Sequence, residues 1–304
     1  MCDKTRAIIF NKVQGSFVDG WGVRTTIFLK GCPLKCKWCC NPEGQSFAPE
    51  LKFIREDCDN CGRCVQLCPE HAISFDGSEI EIDRKKCNVC GKCADFCYRG
   101  ALEPFGSYYT VDEMVNYLKK DKPFYDATGG GVTIGGGEVT WFPEFVLPLM
   151  DRLHEEGIQV AVDSCGYVDT EEGRQILQKA DLVLFDIKGL DRERHKANTG
   201  VDNEIIWKNL RMLGKWQKPV IIRIPVIPGY NDDMQELSDI SELLTQIPSV
   251  KRIDILPYHR FGVNKYDQIG LEYTIPENTK LDPQKQEAIV AMFSEKGFST
   301  QIGG

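Results

Sequence analysis

All but one of the chain's 14 cysteines fall within the first 97 residues, in groups whose spacing bears directly on metal chemistry. Cys58, Cys61, Cys64 and Cys68 follow C-x2-C-x2-C-x3-C, and Cys87, Cys90, Cys93 and Cys97 repeat it. With Pro69 following the first run, this is the bacterial two-cluster ferredoxin pattern, in which three cysteines hold one cluster and the fourth crosses to the other. The predicted ligand sets are Cys58, Cys61, Cys64 with Cys97, and Cys87, Cys90, Cys93 with Cys68. Cys-Gly-Arg-Cys at 61–64 against Cys-Gly-Lys-Cys at 90–93 marks an internal repeat. Structural zinc sites, the bland alternative, prefer separated C-x2-C pairs to four cysteines in one tight run. A third group, Cys32, Cys36 and Cys39, has the different spacing C-x3-C-x2-C. Three thiolates on one loop leave one iron of a cubane without a protein ligand, and an open position is what a catalytic cluster needs. Adjacent residues rarely both reach one cluster, so Cys40 is read as a packed or idle thiol, as are Cys2 and Cys165.

The elements that must position these groups follow a regular pattern. Helix-period segments at 110–121, 143–156, 170–180, 203–217, 234–247 and 282–296 alternate with strand-like runs near 131–135, 159–163, 182–187, 220–227 and 252–257. Met234, Leu237, Ile240, Leu243, Leu244 and Ile247 share one face of the helix at 234. Thr110 with Glu113 forms a candidate capping box, and Asp282 precedes Pro283 at a helix start. With Arg24 to Leu29 as the first strand there are six βα units, which require a parallel sheet with right-handed crossovers. A doubly wound sheet and an open barrel both satisfy that pattern. Residues 50–105 form an insert between the first strand and the first helix, with a largely inorganic core. Residues 1–49 and 106–304 make up the main domain.

Composition excludes several function classes. The 304 residues carry 37 Lys plus Arg against 45 Asp plus Glu, for a formal charge of −8 and no basic run of five or more. Such a chain lacks the cationic face that nucleic-acid binding uses. The apolar run after Thr5 and Arg6 is too short for a signal peptide, and no window approaches the ~20 apolar residues of a membrane span. A cytoplasmic protein with reduced thiols is expected, which favours metal ligation over disulfides.

The stretch from Gly20 to Asn41 resembles the signature of the glycyl-radical-enzyme activating enzymes, pyruvate formate-lyase activating enzyme-like members of the radical S-adenosylmethionine superfamily. It carries the Gly-x-Gly-x-Arg opening at Gly20, Gly22 and Arg24, then Phe28, Gly31-Cys32, the remaining two cysteines and Asn41. Trp21 stands where many relatives have proline, a departure expected to affect a loop near the partner or substrate. The resemblance runs from about residue 16 to about 262 and implies a six-stranded partial (β/α)6 barrel with an inserted bacterial-type ferredoxin domain. It further implies three 4Fe-4S clusters and S-adenosylmethionine.

Ligands of parallel α/β folds gather at the C-terminal strand ends. There the resemblance assigns Gly136, Gly137 and Glu138 to the cofactor's amino group; a glycine run also leaves backbone amides open to a ligand. The carboxylates Asp163 and Asp186, with Ser164 and Lys188 beside them, read on chemistry alone as an acid/base pair or a cation site. The resemblance selects a monovalent cation near the cofactor carboxylate. Arg223 on an apolar strand needs an anion, and the cofactor carboxylate would serve. Leu-Pro-Tyr-His at 256–259 resembles the family motif whose histidine, here His259, contacts the cofactor. His195 to Gly200 is also similar to a family element, with no derivable role.

The implied reaction is reductive cleavage of S-adenosylmethionine and hydrogen abstraction from a glycine of a large partner, a glycyl radical enzyme. The electron would come from a flavodoxin- or ferredoxin-type reductant, with the two ferredoxin clusters delivering it. A radical enzyme modifying peptides or small molecules shares the first three cysteines, but its extra cysteines commonly lie C-terminal to the barrel. A pure electron carrier would not need the residues at the strand ends.

Overall fold

The computed structural model describes residues 6–303; Cys2 lies outside them. The chain opens with β1 (Arg6–Ser16), which turns back into β2 (Arg24–Leu29). After the cysteine loop come β3 (Glu50–Phe53), α1 (Arg63–Leu67), β4 (Ile73–Phe75), β5 (Ile80–Ile82), α2 (Lys92–Asp95) and β6 (Leu102–Phe105). The chain continues through β7 (Ser107–Thr110), α3 (Val111–Leu118), α4 (Lys122–Thr128), β8 (Gly131–Gly136), α5 (Pro143–Glu155), β9 (Gln159–Ser164) and α6 (Glu171–Lys179). It ends with β10 (Leu182–Asp186), α7 (Arg192–Thr199), α8 (Glu204–Lys215), β11 (Val220–Val226), α9 (Met234–Thr245), β12 (Val250–Pro257), α10 (Val263–Gln268), α11 (Pro283–Glu295) and β13 (Thr300–Ile302).

One nine-stranded mixed sheet carries the fold, in the order β13-β12-β11-β10-β9-β8-β2-β1-β7. From β2 to β13 every pairing is parallel, while β1 runs antiparallel to both neighbours. The sheet is therefore larger than six strands. β1 and β7 extend one edge and β13 the other. Their sequences hid them: in β1 only Ala7, Ile8, Ile9 and the terminal Ser16 are buried, the rest of the strand being largely exposed and polar. The inner parallel strands are buried on both faces, as Val183, Leu184 and Phe185 illustrate with 0% exposure, which is the usual state of such sheets.

Helices α3, α5, α6, α8, α9 and α11 cover one face and share its main core. The opposite face is filled at the N-terminal strand ends by Ala161, Leu182, Leu184 and Ile221. Beside them the buried Arg24 donates to Thr133 Oγ1 at 2.7 Å and Val132 O at 2.6 Å. On this face the C-terminal strand ends enclose a cavity. Thr110 and Glu113 form their reciprocal cap, and Asp282 caps α11 ahead of Pro283.

The insert is closed at its base by antiparallel pairing of β3 with β6, from Glu50↔Phe105 to Phe53↔Leu102. Its repeat is conformational as well as sequential. Asn60 and Val89 occupy matching places with φ of 58° and 55°, followed by Gly62 and Gly91 at 71° and 81°. A β-branched residue with positive φ is unusual. At Val89 the strained turn sits between Cys87 and Cys90, whose placement sets the backbone. Among the described residues no helix is long and apolar enough to cross a membrane.

Candidate active site

β2 delivers the chain to the hollow end of the sheet. Gly31 turns it there with φ of 125°, in a space where a Cβ would lie 2.6 Å from the rings of both Phe47 and Phe142. The following loop is fixed from two sides. Lys35 N donates to Thr199 O at 2.7 Å and Lys37 N to Asn198 O at 3.0 Å. On the other side Tyr266 Oη donates to Cys39 O at 3.0 Å and Lys265 Nζ to Cys40 O at 3.1 Å. The 195–200 segment thus holds the cysteine loop through the C-terminal carbonyls of α7. Thr199 is itself held by its hydroxyl on His195 O at 2.8 Å.

Cys32, Cys36 and Cys39 line a cavity of about 240 Å³, and every residue expected to meet the cofactor lines it with them. Residues of β2's end and β12's end face the same space, so the sheet curves around it. Burial pushes the thiol of Cys39 up to about 11, and those of Cys32 and Cys36 upward too. Bare thiols here keep their protons, so iron must displace them on binding.

The glycine turn differs from expectation. Gly137 N donates to Leu29 O at 2.7 Å and Glu138 N to Gly31 O at 2.9 Å, so these amides are engaged rather than open. A Cβ at Gly137 would lie 2.0 Å from Gly31 O, which makes glycine obligatory at this contact. The Glu138 carboxylate is buried and accepts from Ser164 Oγ at 2.5 Å, Thr140 Oγ1 at 2.7 Å and both Cys165 N and Cys165 Sγ at 2.9 Å. It ties β8's end to β9's, and Cys165 is a hydrogen-bonding thiol rather than an idle one.

One ion pair reaches from β11 past β10 to β9, and a second forms at the end of β10. Arg223 Nη1 lies 3.1 Å from Asp163 Oδ2, and Lys188 Nζ 2.9 Å from Asp186 Oδ2. The anion that Arg223 meets is therefore Asp163, while its buried Nε has no partner among the described residues. Burial pushes the Asp163 carboxyl up to about 7, although Arg223 pulls it down. The Arg223 guanidinium is held charged by Asp163, Asp186 and Asp19 against its own burial. His259 stacks on Phe261 at 4.5 Å, and its Nδ1 accepts from Phe261 N at 3.4 Å. Burial lowers its pKa, which keeps the ring neutral.

Sequence reasoning missed Asp19, Lys265 and Tyr266. Asp19 lines the cavity and accepts from Ser16 Oγ at 2.6 Å and Thr26 Oγ1 at 2.7 Å. Its place directly before Gly20 was a usable signal. The six residues of α10 offered none. Trp21 is half-exposed, and its carbonyl accepts from Arg24. Cys40 is exposed.

The insert cysteines gather around two hollows. Cys58, Cys61, Cys64 and Cys97 line one, and Cys68, Cys87, Cys90 and Cys93 the other, with Cys93 reaching both. Among the described residues no three His, Cys, Asp or Glu side chains close on a single-ion position.

Residues 57–101 match the 4Fe-4S dicluster domain and residues 87–240 the radical SAM superfamily. The second match starts beyond the Cys32 loop, inside the insert that interrupts the domain. Full-length likeness spans both parts. The choline trimethylamine-lyase activating enzyme of Oleidesulfovibrio alaskensis is 39% identical over 303 residues, 98% of each chain. The trans-4-hydroxy-L-proline dehydratase activating enzyme of Clostridioides difficile is 39% identical over 300 residues, 98% of this chain and 99% of its own. Among solved structures, Streptococcus suis SuiB bound to precursor peptide SuiA superimposes with a TM-score of 0.54 at 13% identity, over 90% of this chain and 46% of that one. That likeness is of fold alone.

Proposed function

This chain belongs to the glycyl-radical-enzyme activating enzymes of the radical SAM superfamily, and from that membership we propose that it installs the glycyl radical of a partner enzyme. The observation that carries the reading is the convergence, in one cavity, of three cysteines with Asp163, Arg223 and Lys188. The donor set fits its groups. Three thiolates suit a four-iron cluster with an open iron, and the unpaired Nε of Arg223 awaits an anion such as the cofactor carboxylate. With both bound, the cluster would supply one electron and S-adenosylmethionine the radical chemistry that takes a hydrogen from the partner's glycine.

The chain's own residues supply position and exclusion of water. Arg223 and Lys188 compensate anionic charge, the Gly136-Gly137-Glu138 turn takes the amino group with Asp163 beside it, and the Glu138 carboxylate also braces that wall. Asp163, Ser164 and Asp186 offer oxygens to a monovalent cation. His259 presents a neutral ring at the rim. In the insert, two further 4Fe-4S clusters held by the two cysteine sets would pass electrons from a flavodoxin- or ferredoxin-type reductant, making three in all. Residues 50–105 would then act as one domain and the rest as another.

Anaerobic reconstitution with iron and sulfide, reduction with dithionite and assay of 5′-deoxyadenosine test this reading. Wild type should hold about twelve irons per chain and form product, whereas Cys36→Ala should form none. A fully loaded wild type that stays silent even with a glycine-loop peptide would refute it.

A further inference from the structure

The insert and the cysteine loop are joined by one short helix. Arg84 lies just before Cys87 and is half-buried. Its Nη1 donates to Leu51 O at 2.6 Å and its Nη2 to Gln268 O at 3.1 Å. Leu51 lines the hollow of Cys68, Cys87, Cys90 and Cys93, and Gln268 is the last residue of α10. From that same helix Lys265 Nζ reaches Cys40 O at 3.1 Å, Asn41 Oδ1 at 2.8 Å and Glu43 Oε1 at 2.8 Å. Tyr266 Oη completes the grip on Cys39 O.

Glycines let the helix seat closely at both ends. A Cβ at Gly262 would come within 2.9 Å of Cys40 Cα, and one at Gly270 within 2.4 Å of Arg84 Nε. Six residues of α-helix rise roughly 9 Å, so the helix acts as a short spacer of set length. Among the described residues the other hollow shows no such tie: Tyr98 and Arg99, which line it, bond to Asp59 and Asp57 within the insert.

We infer that α10 is a strut, seated on Arg84, that holds the Cys68, Cys87, Cys90, Cys93 group next to the catalytic cysteine loop, and that Arg84 is a positioning residue for electron transfer between them. The inference rests on the cluster assignments proposed above. The step itself moves one electron: the near insert cluster is oxidised by one, the catalytic cluster is reduced by one, and no atom moves. A flavodoxin-type protein or dithionite restores the electron. A second tie, Lys30 Nζ to Glu50 Oε2 at 2.5 Å, keeps the insert hooked to β2 when Arg84 is changed.

The test reads distance before activity. The loaded, dithionite-reduced protein should show magnetic dipolar broadening of the catalytic cluster's electron paramagnetic resonance, identified by its response to S-adenosylmethionine. Cys61→Ser, which empties the far hollow, should keep the broadening, and Cys90→Ser should abolish it. Arg84→Ala should weaken it at unchanged iron content, with Arg84→Lys intermediate, since lysine keeps the charge but cannot span both carbonyls. Cofactor cleavage driven by a flavodoxin-type protein should fall at least about tenfold in Arg84→Ala, and dithionite-driven cleavage should not. Broadening that follows Cys61 instead of Cys90, or that is untouched in both Arg84 variants, overturns the inference. Correct broadening in a wild type that never cleaves the cofactor would instead sink the proposed function and leave the strut standing.

Discussion

Asp163 carries the most informative charge in the site. Its carboxyl is partly buried beside Arg223 and near Asp186 and Asp19, and that burial lifts it to about 7. A carboxyl raised this far is largely protonated in mildly acidic solution and accepts hydrogen bonds fully only once ionised. The affinity of the loaded enzyme for S-adenosylmethionine should therefore strengthen as pH rises from about 6 to about 8. Equilibrium binding across that range checks the sign. Asp163→Asn should bind weakly with a flat profile, and a profile unchanged in the variant would remove Asp163 from cofactor binding. Cys165 shows the opposite kind of residue: its thiol hydrogen-bonds Glu138, so its place is in bracing the wall and not in holding iron.

At the scale of elements, α7 is the clearest case of a helix whose end matters more than its faces. Its last carbonyls fix the loop that holds Cys36, and the helix stops there because Gly200 takes φ of 84°. Only the backbone constrains that position, since a Cβ would meet Lys35 Cβ at an ordinary 3.8 Å. Gly200→Ala should thus cost about 1–2 kcal/mol through the left-handed conformation alone. It should also misplace Thr199 O, dropping iron content from about twelve towards about eight per chain as the open cluster is lost first. Iron analysis with thermal melting separates that outcome from a purely global loss. The same helix shows what was legible beforehand. Elements with an apolar signature were readable: β2, β8 to β12 and the helices packed on them fall where β-branched apolar runs and 3.6-residue spacing put them, because burial fixes both. The sequence Arg-Glu-Arg-His-Lys-Ala-Asn-Thr has no apolar stripe, and α10 is too short for one. The glycines, carboxylates and cysteines that line the cavity at the strand ends were readable because such residues there announce chemistry; Asp19, ahead of the first parallel strand, was not read. Those that grip the cysteine loop from behind were not, since their contacts use backbone carbonyls that carry no side-chain signature.

At the scale of the molecule, the chain is a sheet built to present one cavity, with a cysteine-rich insert grafted where β2 leaves it. The graft is structurally separable: β3 and β6 pair from Glu50↔Phe105 to Phe53↔Leu102, so the two ends of the insert already lie side by side. Lys30, fully buried, needs Glu50 as its partner, and a buried charge left unpaired costs about 3–5 kcal/mol. A chain in which 54–101 is replaced by an Asn-Gly turn keeps that pair and closes β3 onto β6 as a hairpin. It should fold, bind about four irons and cleave S-adenosylmethionine when dithionite reduces the catalytic cluster directly. It should not do so with a flavodoxin-type protein, since the route proposed for those electrons runs through the insert. Cleavage by the shortened chain with the protein reductant would mean that the insert serves docking to the partner rather than electron delivery. Loss of cleavage with both reductants, in a folded chain with four irons, would mean that the insert shapes the cavity itself.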